Sequence, residues 1–110
     1  MNYHNNSKQF VIDTLIKLVD SSPIKKGYSN NIYERTPNSY NISQQELDLW
    51  INYINSVLDI LSGYINPTEI SLVKMRIGNI ASQGPELYSM RVLNIEQELL
   101  NFARNVLRYY

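Results

Sequence analysis

Apolar residues recur with helical spacing in four stretches of the chain, and polar residues fill the faces between them. In the first stretch, residues 7–20, two adjoining apolar stripes are formed by Val11, Ile12, Leu15, Ile16, Leu18 and Val19. Ser22-Pro23 ends this stretch, because the residue before a proline avoids the α conformation. The pattern predicts a first helix over residues 7–20, preceded by a flexible tail of residues 1–6.

The second stretch, residues 43–63, opens with a capping box. The hydroxyl of Ser43 can accept a hydrogen bond from the amide of Glu46, and the Glu46 carboxylate can reach back to the amide of Ser43. Apolar residues then repeat as far as Gly63; they are Leu47, Trp50, Ile51, Ile54, Val57, Leu58 and Leu61. This pattern predicts a helix over residues 43–63 with Trp50 in the core.

Two further helices are predicted over residues 67–82 and 86–109, the first of them with Asn66 as N-cap and Pro67 in its first turn. The last helix has two adjacent apolar seams. The first seam consists of Val92, Ile95, Leu99, Phe102, Val106 and Tyr109, and the second of Leu93, Leu100, Ala103, Leu107 and Tyr110. One helix of a bundle needs an apolar face of about 100° or somewhat more. Two seams therefore indicate either a central helix or contact with another chain.

Residues 21–42 lack a helical period and contain Pro23, Gly27 and Pro37. A connection of this length inside a compact domain is usually functional or disordered, and its tyrosines and isoleucines argue against disorder. The predicted fold is therefore all-α: a four-helix bundle-like single domain over residues 1–110, with a long ordered loop between the first and second helices.

Composition argues against catalysis. Cysteine is absent and His4 is the only histidine, so the usual nucleophile–base pairs and nitrogen or sulfur metal sites cannot be assembled. The carboxylate pairs Glu46/Asp48 and Glu96/Glu98 are two residues apart and diverge on a helix. We therefore expect no enzymatic activity, no cofactor and no metal site.

The formal net charge is zero, whereas proteins that bind nucleic acid nonspecifically have a basic excess. A nucleic-acid partner is therefore disfavoured, although a local basic patch is compatible with this balance. The polar residues 1–8 do not resemble a signal peptide, and no apolar run is long enough to span a membrane. We expect a cytoplasmic protein without a membrane partner.

Two groups of basic residues are candidate binding sites. The loop combines cations that can bind phosphate with tyrosines that can stack, and its candidate ligand-binding residues are Lys25, Lys26, Gly27, Tyr28, Tyr33, Arg35 and Tyr40. The alternative is a lid whose lysines stay solvated. The second group consists of Lys74, Arg76, Arg91, Arg104 and Arg108. The last two complement a helix dipole, and Lys74 or Arg76 would join them if the third and fourth helices pack together.

Two functional hypotheses follow. The first is a non-enzymatic interaction protein that forms a homo-oligomer through its C-terminal helix and binds a protein partner. Its candidate interface residues are Val92, Ile95, Leu99, Phe102, Val106, Tyr109 and Tyr110. The abundance of Asn, Ile and Tyr suggests AT-rich coding DNA, as in a phage or another mobile element. The alternative is a protein that sequesters a small anionic, nucleotide-like ligand in the loop at residues 23–40.

Overall fold

A computed structural model of the chain describes residues 3–28 and 42–109, with side chains described for residues 7–25 and 42–109. All regular secondary structure in this part is α-helical. The helices are α1 (Tyr3–Asp20), α2 (Pro23–Tyr28), α3 (Gln44–Leu61), α4 (Pro67–Gln83) and α5 (Tyr88–Tyr109). The prediction of an all-α, bundle-like domain is confirmed.

The predicted starts of α3 and α4 are confirmed by their hydrogen bonds. The Glu46 amide donates to Ser43 Oγ at 3.1 Å, and the Ser43 amide donates to Glu46 Oε1 at 3.1 Å, which completes the capping box. At the start of α4, the Thr68 amide donates to Asn66 Oδ1 at 2.9 Å. Polar side chains thus satisfy backbone amides that a helix leaves without partners at its first turn.

Two segments outside the predicted helices are helical. Helix α1 begins at Tyr3, within the expected tail, and α2 lies within the expected loop. Pro23 ends α1, as predicted, but it also fits the first position of a new helix. Ser22 Oγ accepts a hydrogen bond from the Lys25 amide at 3.2 Å, as an N-cap side chain does. The rest of the loop prediction, residues 29–41, lies outside the described residues.

Helix α5 occupies the centre of the arrangement. It packs along α1 on one side and α4 on the other, while α3 packs against α4 and the short α2 contacts α1, α3 and α5. The turns between α3, α4 and α5 are short, so these helices follow one another as antiparallel neighbours. Lys74 of α4 forms an ion pair with Asp59 of α3 on the outside of this set.

The first seam of α5 lies in the core of the chain's own fold. Its buried members are Val92, Ile95, Leu99, Phe102 and Val106. The interface prediction is corrected for these five residues, because the neighbouring helices of the same chain cover them. Of the two tyrosines predicted with them, Tyr109 is 74% exposed and Tyr110 lies outside the described residues.

Helix α1 contacts the N-terminal half of α3 and the turn that follows α3. Trp50 is buried, as predicted, and its Nε1 donates to the carbonyl oxygen of Leu18 at 3.1 Å. Farther along, the rings of Phe10 and Tyr64 contact each other with centroids 4.9 Å apart. In the described part of the chain, no helix combines the length and the hydrophobicity that crossing a membrane requires.

Candidate functional site

The candidate ligand residues of the loop are only partly described. Lys25 is exposed on α2, and its charge acts on the buried carboxyl of Glu96. Three more of the seven residues belong to the backbone of the same helix: Lys26, Gly27 and Tyr28. The remaining three, Tyr33, Arg35 and Tyr40, lie outside the described residues. A ligand site in this segment therefore stays a prediction.

A buried serine–glutamate pair joins the end of α1 to α5. Ser22 Oγ donates to Glu96 Oε2 at 2.6 Å, and both side chains are buried. Burial raises the pKa of Glu96 above its ordinary value of 4.5 because the charged form loses its hydration. The hydrogen bond from Ser22 and the positive charge of Lys25 act in the opposite direction, and the negative charge of Asp20 raises the pKa further.

This pair has the residue types of a nucleophile and its base, but its position does not suit catalysis. Ser22 is 0% exposed and Glu96 is 6% exposed, so a substrate has no path to either oxygen atom in this conformation. A perturbed carboxyl indicates a functional site when it lies in an open cleft. Here the arrangement serves to satisfy a polar position within the helix packing.

Helix α3 has an exposed apolar stripe that the sequence analysis did not identify. Leu49, Tyr53 and Ile60 are 62%, 52% and 62% exposed, and their spacing of four and seven residues puts them on one side of the helix. We call this set the α3 face. It covers about three turns of helix, or about 16 Å. The predicted apolar positions of this helix include only the stripe through Trp50, although the same spacing rule reveals this second one.

A cleft adjoins the start of the α3 face. It encloses about 430 Å³ and lies between the α1–α2 junction and the first turns of α3. Its lining residues are Ser21, Pro23, Glu46, Leu49, Trp50 and Tyr53. The rings of Phe10 and Tyr64, which contact each other, are also half-exposed.

The charges on α3 are all of one sign. The helix contains Glu46, Asp48 and Asp59, and it has no lysine or arginine. Asp59 is paired with Lys74 of α4, whereas Glu46 combines its capping role with a position in the cleft lining. Exposed apolar side chains on an acidic helix are typical of a surface that meets a basic, amphipathic partner.

The second basic group separates into two parts with different roles. Arg91 is held inside the turn between α4 and α5, where its guanidinium donates to the carbonyl oxygens of Ala81 at 2.7 Å and Pro85 at 2.6 Å. It also lies 5.1 Å from the ring centre of Tyr88. Arg91 therefore stabilises the turn, and Lys74 is paired with Asp59.

The other three arginines come together in one groove. Packing of α4 against α5 brings Arg76 beside Arg104 and Arg108, as the sequence analysis considered. The groove encloses about 460 Å³, and Glu98, Asn101 and Asn105 complete its lining. We call this surface the arginine groove.

The described residues thus contain two open surfaces with side chains suited to binding, the apolar α3 face and the polar arginine groove. Among these same residues, no group of three or more histidine, aspartate or glutamate side chains is placed to bind a metal ion together. Comparison of the chain with models of known protein families, with curated proteins and with solved structures finds no match.

Proposed function

We propose that this chain is a non-enzymatic binding protein that docks an amphipathic helical segment of another protein onto its α3 face. The observation that carries the proposal is the exposure of Leu49, Tyr53 and Ile60 in one stripe beside an open cleft. Isolated apolar side chains on a surface are ordinary, but three on one side of a helix, two of them lining a cleft, are typical of an interaction surface. Its length matches about three turns of a partner helix, which is the length that helix-in-groove recognition uses.

The acidic character of α3 favours a different protein over a second copy as the occupant. Two copies that met through this face would pack α3 against α3, and neither helix has a lysine or arginine to pair with the acidic residues of the other. Like charges at an interface oppose association. A segment with leucine or isoleucine on one side and lysine or arginine at its edges complements the surface in both respects.

The same proposal includes that the chain does not act as a catalyst. The chain has one histidine and no cysteine, and the Ser22–Glu96 pair is sealed within the packing. The exposed side chains of the α3 face are apolar or phenolic. Such residues contribute contact area to binding, and they lack a group that exchanges protons near neutral pH.

The proposal is tested with a synthetic helical peptide of about 12 residues that has leucines at helical spacing and lysines at both edges. Trp50 lines the cleft and is the only tryptophan, so its fluorescence should change when the peptide covers the α3 face. We expect Leu49→Ala and Tyr53→Ala to weaken binding about tenfold each, as truncation of interface anchors does. Both side chains are exposed, so neither change should disturb folding.

Leu107→Ala is the matched control, because Leu107 is 60% exposed on α5 and lies outside the α3 face. Its binding should equal that of the unaltered protein. Equal binding of a peptide with glutamates in place of the lysines would contradict the charge argument. Dimerisation at tens of micromolar that Leu49→Ala abolishes would make this face a self-interface and overturn the proposal. A monomer that binds neither peptide would overturn it as well.

A further inference from the structure

The arginine groove concentrates positive charge on a protein whose formal net charge is zero. Three guanidinium groups and one carboxylate line it, which leaves a local formal charge of +2. In the part of the chain that the structure describes, Arg76, Arg104 and Arg108 form no ion pair and no hydrogen bond with another residue. Three guanidinium groups therefore face one groove with their donors available.

Helix stability does not explain this arrangement. Arg108 is in the last turn of α5, where a positive charge is favourable. Arg104 lies one turn earlier, and like charges at this spacing repel by about 0.2–0.5 kcal/mol. Arg76 belongs to the middle of α4, far from a helix end, so the dipole argument does not apply to it. An anion bound between the three groups would turn this repulsion into attraction.

The shape and the lining of the groove indicate the class of anion. A guanidinium group binds phosphate oxygens through paired hydrogen bonds, and the groove volume falls within the range of small-molecule sites. Asn101 and Asn105 add amide donors and acceptors, while Glu98 can only accept when it is ionised. A ligand that satisfies all of them has a phosphate group at the arginines and a hydroxyl or amino donor near Glu98.

We propose that the arginine groove is a binding site for an organic phosphate that also has a hydrogen-bond donor, such as a hydroxyl group of a sugar phosphate. The six described lining residues include no aromatic side chain. The groove can therefore contact a phosphate group and polar substituents, but it has no ring on which a nucleotide base could stack. This site shares no residue with the α3 face, so each proposal can fail without the other.

The experiment is a calorimetric titration of the full chain with two probes, inorganic tripolyphosphate and ATP. Both should bind, because both present phosphate oxygens to the arginines, and binding should weaken as salt rises from about 50 mM to 200 mM. We expect Arg76→Gln and Arg104→Gln to weaken both probes about tenfold, the effect of losing one charge-assisted hydrogen bond. Lys17→Gln removes the same charge from an exposed position on α1 and should leave both affinities unchanged.

Glu98→Gln separates the phosphate contact from the donor contact. The change removes a negative charge that repels phosphate, so tripolyphosphate should bind about twofold more tightly. ATP loses a charged acceptor for its hydroxyl groups at the same time, so its affinity should stay level or fall. A gain for ATP as large as that for tripolyphosphate would contradict the assignment of the donor to Glu98.

A third titration distinguishes the source of the phosphate. A single-stranded DNA of about 12 nucleotides that binds more tightly than ATP, and loses affinity in the same arginine variants, would assign the groove to a nucleic-acid backbone and overturn the small-ligand proposal. Failure of ATP and tripolyphosphate to bind would also overturn it. So would an equal loss of affinity in Lys17→Gln, because binding would then follow total charge and not the groove.

Discussion

Among single residues, Glu96 links the charge state of one carboxyl group to the stability of the whole fold. The residue lies between Leu93 and Leu100 in the second apolar seam of α5, at the spacing that continues the seam. A glutamate in such a position is buried because its apolar neighbours on the same seam pack against the core. Ser22 supplies a hydroxyl donor there, which reduces the cost of burying the carboxylate without cancelling it.

The first prediction concerns the pH dependence that this burial causes. The pKa of Glu96 is raised in the folded chain, so the protonated form is the one that the fold favours. The contribution of Glu96 to stability is therefore greatest below about pH 4.5, and it is lost as pH rises through the higher pKa of the folded state. Glu96→Gln should be more stable than the unaltered protein at neutral pH, and the difference should shrink in acid.

Urea denaturation between about pH 4 and pH 7 measures this difference. Glu86→Gln, a change at an exposed glutamate, controls for the loss of one negative charge. If Glu96→Gln were the less stable protein at neutral pH, the hydrogen bond from Ser22 and the attraction to Lys25 would together outweigh desolvation, and the pKa of Glu96 would not be raised.

Residue spacing alone could predict part of this arrangement. The divergence of Glu96 and Glu98 follows from their separation by two positions, and the structure puts the first in the core and the second in the arginine groove. The partner Ser22 could not be predicted, because it is 74 residues away in sequence. Contacts at such distances depend on how α1 packs against α5, which a periodic pattern does not encode.

Among the elements, those helix N-termini that have strong local sequence signals could be predicted. Ser43 and Asn66 cap their helices through side chains that are two or three residues from the amides they bind. Helix α2 was missed because Pro23 serves both as the end of one helix and as the start of another. Local rules recognise each role, but they do not decide whether both apply at one position.

Gly78 within α4 and Gly84 at its C-cap give opposite predictions. A Cβ atom on Gly84 would overlap the carbonyl oxygen of Ile80 and lie 3.1 Å from Cγ of Arg91. Gly84→Ala should therefore lower the free energy of unfolding by about 1–3 kcal/mol, as overpacking does. Gly78 is exposed in the helix, with nothing within 4 Å of a built Cβ. Gly78→Ala should raise the free energy of unfolding by about 0.4–1 kcal/mol.

Thermal and urea denaturation of the two variants give the comparison directly, because each serves as the control of the other. A stabilising Gly84→Ala would mean that the turn after α4 relaxes freely. A destabilising Gly78→Ala would mean that another group approaches the helix at that point.

For the whole molecule, the central position of α5 explains its doubled apolar pattern. The two seams were compatible with either a central helix or a surface that contacts another chain. Burial of the first seam by the chain's own helices favours the central helix. The sequence could not decide, because a pattern records how much surface is apolar but not which chain covers it. Near the end of α5, Leu107 and Tyr109 remain exposed, and α3 has further exposed apolar side chains.

Substitutions of two leucines of α5 test whether this helix is central in the fold. Leu99 is 0% exposed at the middle of the helix, and Leu107 is exposed near its end. Leu99→Ala should lower the free energy of unfolding by about 2–5 kcal/mol, which is the usual cost of a cavity in a core. Leu107→Ala should change it by less than about 0.5 kcal/mol. Equal losses measured by urea denaturation would mean that both leucines are covered, as in an oligomer built on α5.

The packing of α1 on α5 has a consequence for synthesis on the ribosome. Helix α1 is translated first among the described helices, and its main partner is translated last. At about 5–20 residues per second, its apolar stripe of Val11, Leu15 and Leu18 waits on the order of 5–20 seconds for α5 to emerge. Throughout that interval the nascent stripe is a target for chaperones, and the native topology forms only after translation has delivered the last helix.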